Sequence, residues 1–196
     1  MAEILYQGHG SLRIKTKLGT IVYIDPYAGE GYDLKADIIL ITHGHYDHTD
    51  INKVVKDNNT QILTHKDMLI NGEYKQKEVK DLVIKAVPAE NKNHKRSECV
   101  GYIIKVDGKV LYFAGDTSYV KEMDEYSSLN IDYAFLPCDG LYNMDNVEAE
   151  ECSRKIKAKF TVPIHNQADG FYDYEKARAF NGYNKLIVKP TEKIEY

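Results

Sequence analysis

Within six residues the chain carries His43-Gly44-His45-Tyr46-Asp47-His48, directly after the apolar run Ile38-Ile39-Leu40-Ile41. The run predicts a buried strand, and loops at strand ends are where sites are built. In a locally extended stretch His43 and His45 point the same way, so both imidazoles can reach one metal ion. Asp47 and His48 follow around the turn and face the other side of the same cavity, with donors for a second ion. With 7 His and 16 Asp in 196 residues, H-x-H-x-D-H is expected by chance roughly 0.0007 times. Three solvated loop histidines are therefore a poor explanation.

Four donors do not complete two ions, so about three further N or O ligands are expected elsewhere. His94 lies in the loop Glu90 to Arg96, Asp116 follows the run Val110 to Phe113 within Gly115-Asp116-Thr117, and His165 follows Val162-Pro163-Ile164. All three have ligand chemistry and stand at or near predicted strand ends.

These residues, in this order and spacing, resemble the five-part signature of the metallo-β-lactamase superfamily. Gly8-His9-Gly10-Ser11, Leu136-Pro137-Cys138-Asp139-Gly140 and Pro163-Ile164-His165 further resemble its ascorbate-6-phosphate lactonase-like branch. The resemblance implies an α/β (α+β) fold, a four-layer αββα sandwich with the metal site at one sheet edge. It also implies that His43, His45 and His94 hold one ion, that Asp47, His48 and His165 hold the second, and that Asp116 bridges them. The superfamily's di-iron branch typically has Glu where His45 stands, so two Zn2+ ions are expected, with Mn2+ the alternative.

The function expected on this basis is a zinc-dependent hydrolase. A metal-bridged hydroxide attacks a carbonyl or phosphoryl centre, with Asp47 and Asp116 catalytic and Asp47 the proton shuttle. The branch points to a small anionic lactone or a phosphorylated carbohydrate. The alternatives are a phosphodiesterase on cyclic or short nucleotides and a non-catalytic metal-binding module.

Among secondary candidates, Asp25 in Ile24-Asp25-Pro26 resembles the family's strand-end acid that steadies the ligand loop. His9 could reach the cavity, whereas His65 reads as structural. Asp139 and Tyr142 stand in a loop that could face substrate. Lys92, Lys95 and Arg96 surround His94, and they would reinforce the attraction of a site carrying about two excess positive charges for an anion.

Composition narrows the setting. The length predicts a single domain over residues 1–196. A net charge of -4 removes the footprint of a binder of long nucleic acid. No signal peptide or apolar run of about 18 residues is present, which predicts a cytoplasmic protein without membrane contact. Cys99, Cys138 and Cys152 are widely spaced and read as reduced. A small-molecule substrate is the expected partner, and a homo-oligomer is compatible with all of this.

Turn signals divide the rest. Strands are predicted at Ser11 to Thr16, Thr20 to Ile24, Asp37 to Thr42, Thr60 to Thr64, Glu78 to Val87, Val100 to Val106, Lys109 to Phe113, Ile131 to Leu136, Phe160 to Ile164 and Leu186 to Lys189. Asp107-Gly108 marks a hairpin. Helices are predicted at Asn146 to Lys157, with Asn146 its N-cap, at Asp173 to Phe180, and from near Ile51 with Asp50 as cap.

Overall fold

Period-two alternation decides which way each strand faces, and the resulting sheets bury both of their surfaces. The computed structural model describes residues 1–196. Its first half contains β1 (Glu3–Gly8), β2 (Ser11–Lys15), β3 (Ile21–Ile24), β4 (Ile38–Ile41) and β5 (Gln61–Thr64). A one-turn helix α1 (His65–Met68) and the small hairpin β6 (Leu69–Ile70) and β7 (Glu73–Tyr74) lead to β8 (Gln76–Val79), β9 (Leu82–Pro88), β10 (Val100–Val106) and β11 (Lys109–Phe113). Then come β12 (Tyr133–Pro137), α2 (Asn146–Ile156), β13 (Phe160–Ile164), α3 (Tyr174–Ala179) and β14 (Lys193–Glu195).

The strands form two six-stranded sheets, ordered β14-β1-β2-β3-β4-β5 and β13-β12-β11-β10-β9-β8. One residue set of each strand packs between the sheets: Ile4 and Tyr6, Val22 and Ile24, Ile38 and Leu40 from the first meet Ile84, Tyr102, Phe113, Phe135 and Ile164 of the second. The alternate set faces outward. Ile103, Tyr112, Ala134 and Leu136 pack under α2 and a 3-10 helix, Lys121–Leu129. Tyr23, Ile39 and Ile41 are covered by Tyr32, Leu34, Ile51 and Val54.

The architecture is thus the expected α/β sandwich, but the layer over the first sheet is irregular. The helix expected from Ile51 is only the 3-10 turn Ile51–Lys53, and the Asp50 side chain makes no capping bond. Three residues cannot lay an apolar helical stripe on a sheet, and the loop between β3 and β4 shares the cover with Ile51 and Val54.

Other boundaries also differ. Asp145, not Asn146, caps α2 by accepting from the Glu148 N–H. Leu186 to Lys189 forms no strand: a single bridge joins Lys185 to Thr161, and Pro190 follows without an N–H for a ladder. The strand near the C-terminus is instead Lys193–Glu195, paired antiparallel with β1. The stretch expected over Glu78 to Val87 is a hairpin, β8 and β9, turning at Lys80 and Asp81.

Strands β3, β4 and β5 run parallel, as do β11, β12 and β13. Their carboxyl ends, with that of β9, open on one edge of the sandwich. Ligands in α/β proteins collect at such ends.

Candidate metal centre

Each predicted ligand enters this edge from a strand end. β4 delivers His43 and His45, and the 3-10 turn Tyr46–His48 turns Asp47 and His48 back over them. From the facing sheet, the loop after β9 brings His94, β11 brings Asp116 and β13 brings His165. Pro163 is tolerated inside β13 because that strand is an edge and needs only one ladder. Gly115 holds φ +66, and a Cβ there would come within 3.0 Å of Thr42 and of the Val100 carbonyl. Close approach of the two sheets at Asp116 requires glycine at that position.

The donor atoms fall into two main groups, each spanning no more than 4.8 Å, His43, His45 and His94, and His9, Asp47, His48 and His165, with a third set, Asp25, His43 and His48, joining them. His94 Nε2 lies 3.0 Å from His45 Nδ1. Asp116 Oδ1 lies against the second group, 3.4 Å from His48 Nε2 and 3.5 Å from His165 Nε2. His43 Nε2, His48 Nε2, His165 Nε2 and Asp116 Oδ1 are all buried with no hydrogen-bond partner. Buried polar atoms are normally paired, so four orphans pointing into one space fit bound cations.

Outer groups hold the rings. The Asp25 carboxylate accepts from His48 Nδ1 at 2.8 Å and from the Thr42 N–H and hydroxyl. His94 Nδ1 faces Asn91 Oδ1 at 2.9 Å, and His165 Nδ1 lies 3.4 Å from Asp139 Oδ2. His9 places Nδ1 3.0 Å from the Gly170 carbonyl and Nε2 3.2 Å from Asp47 Oδ2. Such outer partners fix tautomer and orientation at metal sites.

Burial and charge pull the rings in opposite directions. Burial pulls His43 down to about 2, with the His48 charge adding to the effect. Burial also lowers His165, to about 4, against the opposing pull of Asp116. At His48 burial is overcome by Asp116 and Asp25, which push the ring up to about 9. Asp116 is itself held well below the usual carboxylate range, because the His165, His48 and His43 charges and the Asn143 amide outweigh its burial. The acidic field that retains a proton on His48 is the field a divalent cation would replace it in.

Two compartments adjoin the centre. One, of about 310 Å³, is lined by His45, Asp47, His94, Asp116 and His165, with Asn93, Tyr142 and Asp169 at its walls. The other, of about 300 Å³, is walled by Tyr27, Tyr46 and Phe171 with His9 and Asp47. Tyr46, Asp47, Ala168 and Asp169 border both.

Not every candidate residue takes its expected place. Tyr142 reaches the cavity, but Asp139 does not: it is buried, and its oxygens accept from the N–H groups of Leu141, Tyr142 and Asn143 and from the Asn143 side chain. Arg96 does not reinforce the site either, because Glu90 and Glu122 take its guanidinium. Neither compartment is lined by Lys92 or Lys95. His65 sits beyond Gly44, outside both groups. Sequence reading missed Asn91, Asn143 and Thr42, whose residue types signal only turns and strand ends. It also missed the aromatic walls.

A family model described as a β-lactamase superfamily domain matches residues 3–165. The chain is 31% identical to a UPF0173 metal-dependent hydrolase of Thermoplasma volcanium, covering 83% of this chain and 82% of that protein. It is 29% identical to the one of Pyrococcus abyssi over the full length of both. A solved structure named for a metal-dependent hydrolase from Parabacteroides distasonis superposes with a TM-score of 0.77 at 31% identity, over 95% of this chain and 92% of that one.

Proposed function

The chain belongs to the metallo-β-lactamase superfamily, among its UPF0173 metal-dependent hydrolases, and on that footing we propose that it hydrolyses a small molecule with water activated by two zinc ions. The reading is carried by the four buried donor atoms left without partners around one space. His43, His45 and His94 would hold one ion, and Asp47, His48 and His165 the other, with Asp116 between them. Bound there, zinc would supply Lewis acidity that lowers the pKa of water and stabilises charge on a carbonyl or phosphoryl oxygen. Five imidazoles suit zinc better than manganese, which prefers oxygen.

The protein's own groups do the rest. Asp25 orients His48, and the Asp139 carboxylate faces the His165 ring. Asp47, the more exposed of the two catalytic carboxylates and backed by His9, can take a proton at Oδ2 and pass it to the leaving group.

A pair of divalent cations against Asp47 and Asp116 leaves about two excess positive charges, which favours an anionic reacting end. No Lys or Arg lines either compartment, so that preference comes from the cations alone. The walls of Tyr27, Tyr46 and Phe171 suit a ring, as in a lactone or a phosphorylated carbohydrate. Three unpaired, buried cysteines fit a reducing, cytoplasmic setting.

The test is a parallel screen of zinc-loaded protein against lactones, phosphodiesters, thioesters and β-lactams, with Asp116→Ala as control. Turnover of lactones that disappears in the variant is the expected result. Protein purified without chelator that contains no zinc, or wild type no faster than the variant on every class, would overturn the reading.

A further inference from the structure

Beneath the two half-sites runs a chain of side-chain amides. The Asn143 amide donates through Nδ2 to Asp139 Oδ2 at 2.7 Å, and its Oδ1 accepts from Asn91 Nδ2 at 2.8 Å. Asn91 Oδ1 in turn accepts from the backbone N–H groups of Asn93 and His94 and faces His94 Nδ1 at 2.9 Å. The Asp139 end stands 3.4 Å from His165 Nδ1. Asn143 is buried.

The direction of every link follows from one group. A carboxylate only accepts, so Asn143 must turn its NH2 toward Asp139 and its oxygen toward Asn91. Asn91 must then present its NH2 to Asn143 and its oxygen to His94, as its two backbone donors independently require. His94 Nδ1 therefore carries a hydrogen, and the Asp139 carboxylate facing His165 Nδ1 at 3.4 Å favours one there as well. The His94 Nε2 lone pair then meets His45 Nδ1 at 3.0 Å, while His165 Nε2 is buried with no partner.

We propose that Asn143 is a positioning residue that couples the two metal half-sites, so that ordering either His94 or His165 on an ion prepares the other ring for the second. It touches no substrate. It acts by linking, through one amide, the Asn91 that holds His94 and the Asp139 that faces His165. Groups that share a hydrogen-bond network lose less freedom on the second binding event than on the first. Coupling of this kind is typically about 5- to 150-fold in affinity.

This inference rests on the reading of these histidines as metal ligands, and its test separates the two. Metal-free wild type, Asn143→Leu and Asn91→Asp are titrated with Co2+, whose visible absorption reports filling of each half-site. Asn91→Asp keeps an acceptor for His94 and gives the Asn143 amide a carboxylate on either side, only one of which its NH2 can serve. The ratio of the second to the first association constant is expected to fall about 5- to 100-fold in both variants. Equal weakening of both constants, with the ratio unchanged, would overturn the coupling while leaving the ligand assignment standing. A wild type that binds no cobalt would defeat both.

Nitrogen-15 spectra of the metal-free wild-type imidazoles give a second readout that needs no variant to fold. Nδ1–H tautomers at both His94 and His165 support the relay. An Nε2–H tautomer at either one refutes it.

Discussion

Asp25 Oδ2 accepts the Nδ1 hydrogen of His48 over 2.8 Å, and both side chains are shut off from solvent. The same carboxylate takes the Thr42 N–H and hydroxyl, so the strand end that launches the ligand loop and the ring that closes it share one anchor.

Asp25→Asn keeps the shape of that anchor and removes its charge. Outer-sphere substitutions of this kind typically cost about 10- to 100-fold in metal affinity. We expect a loss in that range, measured by competition with a chromogenic chelator, in a protein whose circular dichroism is unchanged. Undiminished affinity would show that the contact does not orient the ring.

The candidate ligands are divided between the sheets: His43, His45, Asp47 and His48 follow β4, while His94, Asp116 and His165 come from the other sheet. An ion held by both groups clamps the halves of the sandwich together. At free zinc about 1,000 times its dissociation constant, linkage adds about 4 kcal/mol. At roughly 2–4 °C per kcal/mol for a chain of this size, chelation should lower the melting temperature by about 8–16 °C. Calorimetry with and without chelator measures this, and coincident transitions would argue against a clamp.

Gly115→Ala is expected to be costly where Gly72→Ala is mild. Both glycines have positive φ, but a Cβ at Gly72 meets nothing within 4 Å, whereas at Gly115 it meets Thr42 and the Val100 carbonyl. The left-handed backbone costs about 1–2 kcal/mol in either variant. Crowding adds about 1–3 kcal/mol at Gly115 only. Urea midpoints of the two variants should differ accordingly, and equal midpoints would refute the close approach.

Burial pushes the thiols of Cys99, Cys138 and Cys152 up to about 12 from an ordinary 9.0. A raised folded-state value stabilises fully below the unfolded value and is lost as pH rises through the folded one. The urea midpoint should therefore fall steadily between about pH 9 and 12. The native protein should resist a thiol reagent at pH 8 until urea is added. Rapid labelling of any cysteine in the native state would contradict this burial.

The metal loop was legible because a ligand cluster has a spacing with no packing rationale, and the hairpin at Asp107-Gly108 because its turn chemistry is local. Residues 186–189 form no strand: β-branched composition does not reveal whether a partner edge is free, and the one bridge to β13 is made by Lys185 before them. The cover on the first sheet was misread for a similar reason: Ile51 and Val54 are apolar at helical spacing, yet they pack from an irregular segment. Asn91 and Asn143 were invisible because 52 residues separate the two halves of their hydrogen bond. Only the fold brings them together.

His9, Asp25 and His165 are non-glycine residues with φ of 49, 45 and 41°, each at the centre. Left-handed backbone at such side chains is uphill, and the packed edges of both sheets hold it in place. At Asp25 and His165 the side chains' own contacts offset that strain, but at His9 a selection for heat resistance alone would favour glycine and strip Asp47 of its backing as it succeeded. Any laboratory evolution of this scaffold toward higher thermostability has to screen for turnover in the same round.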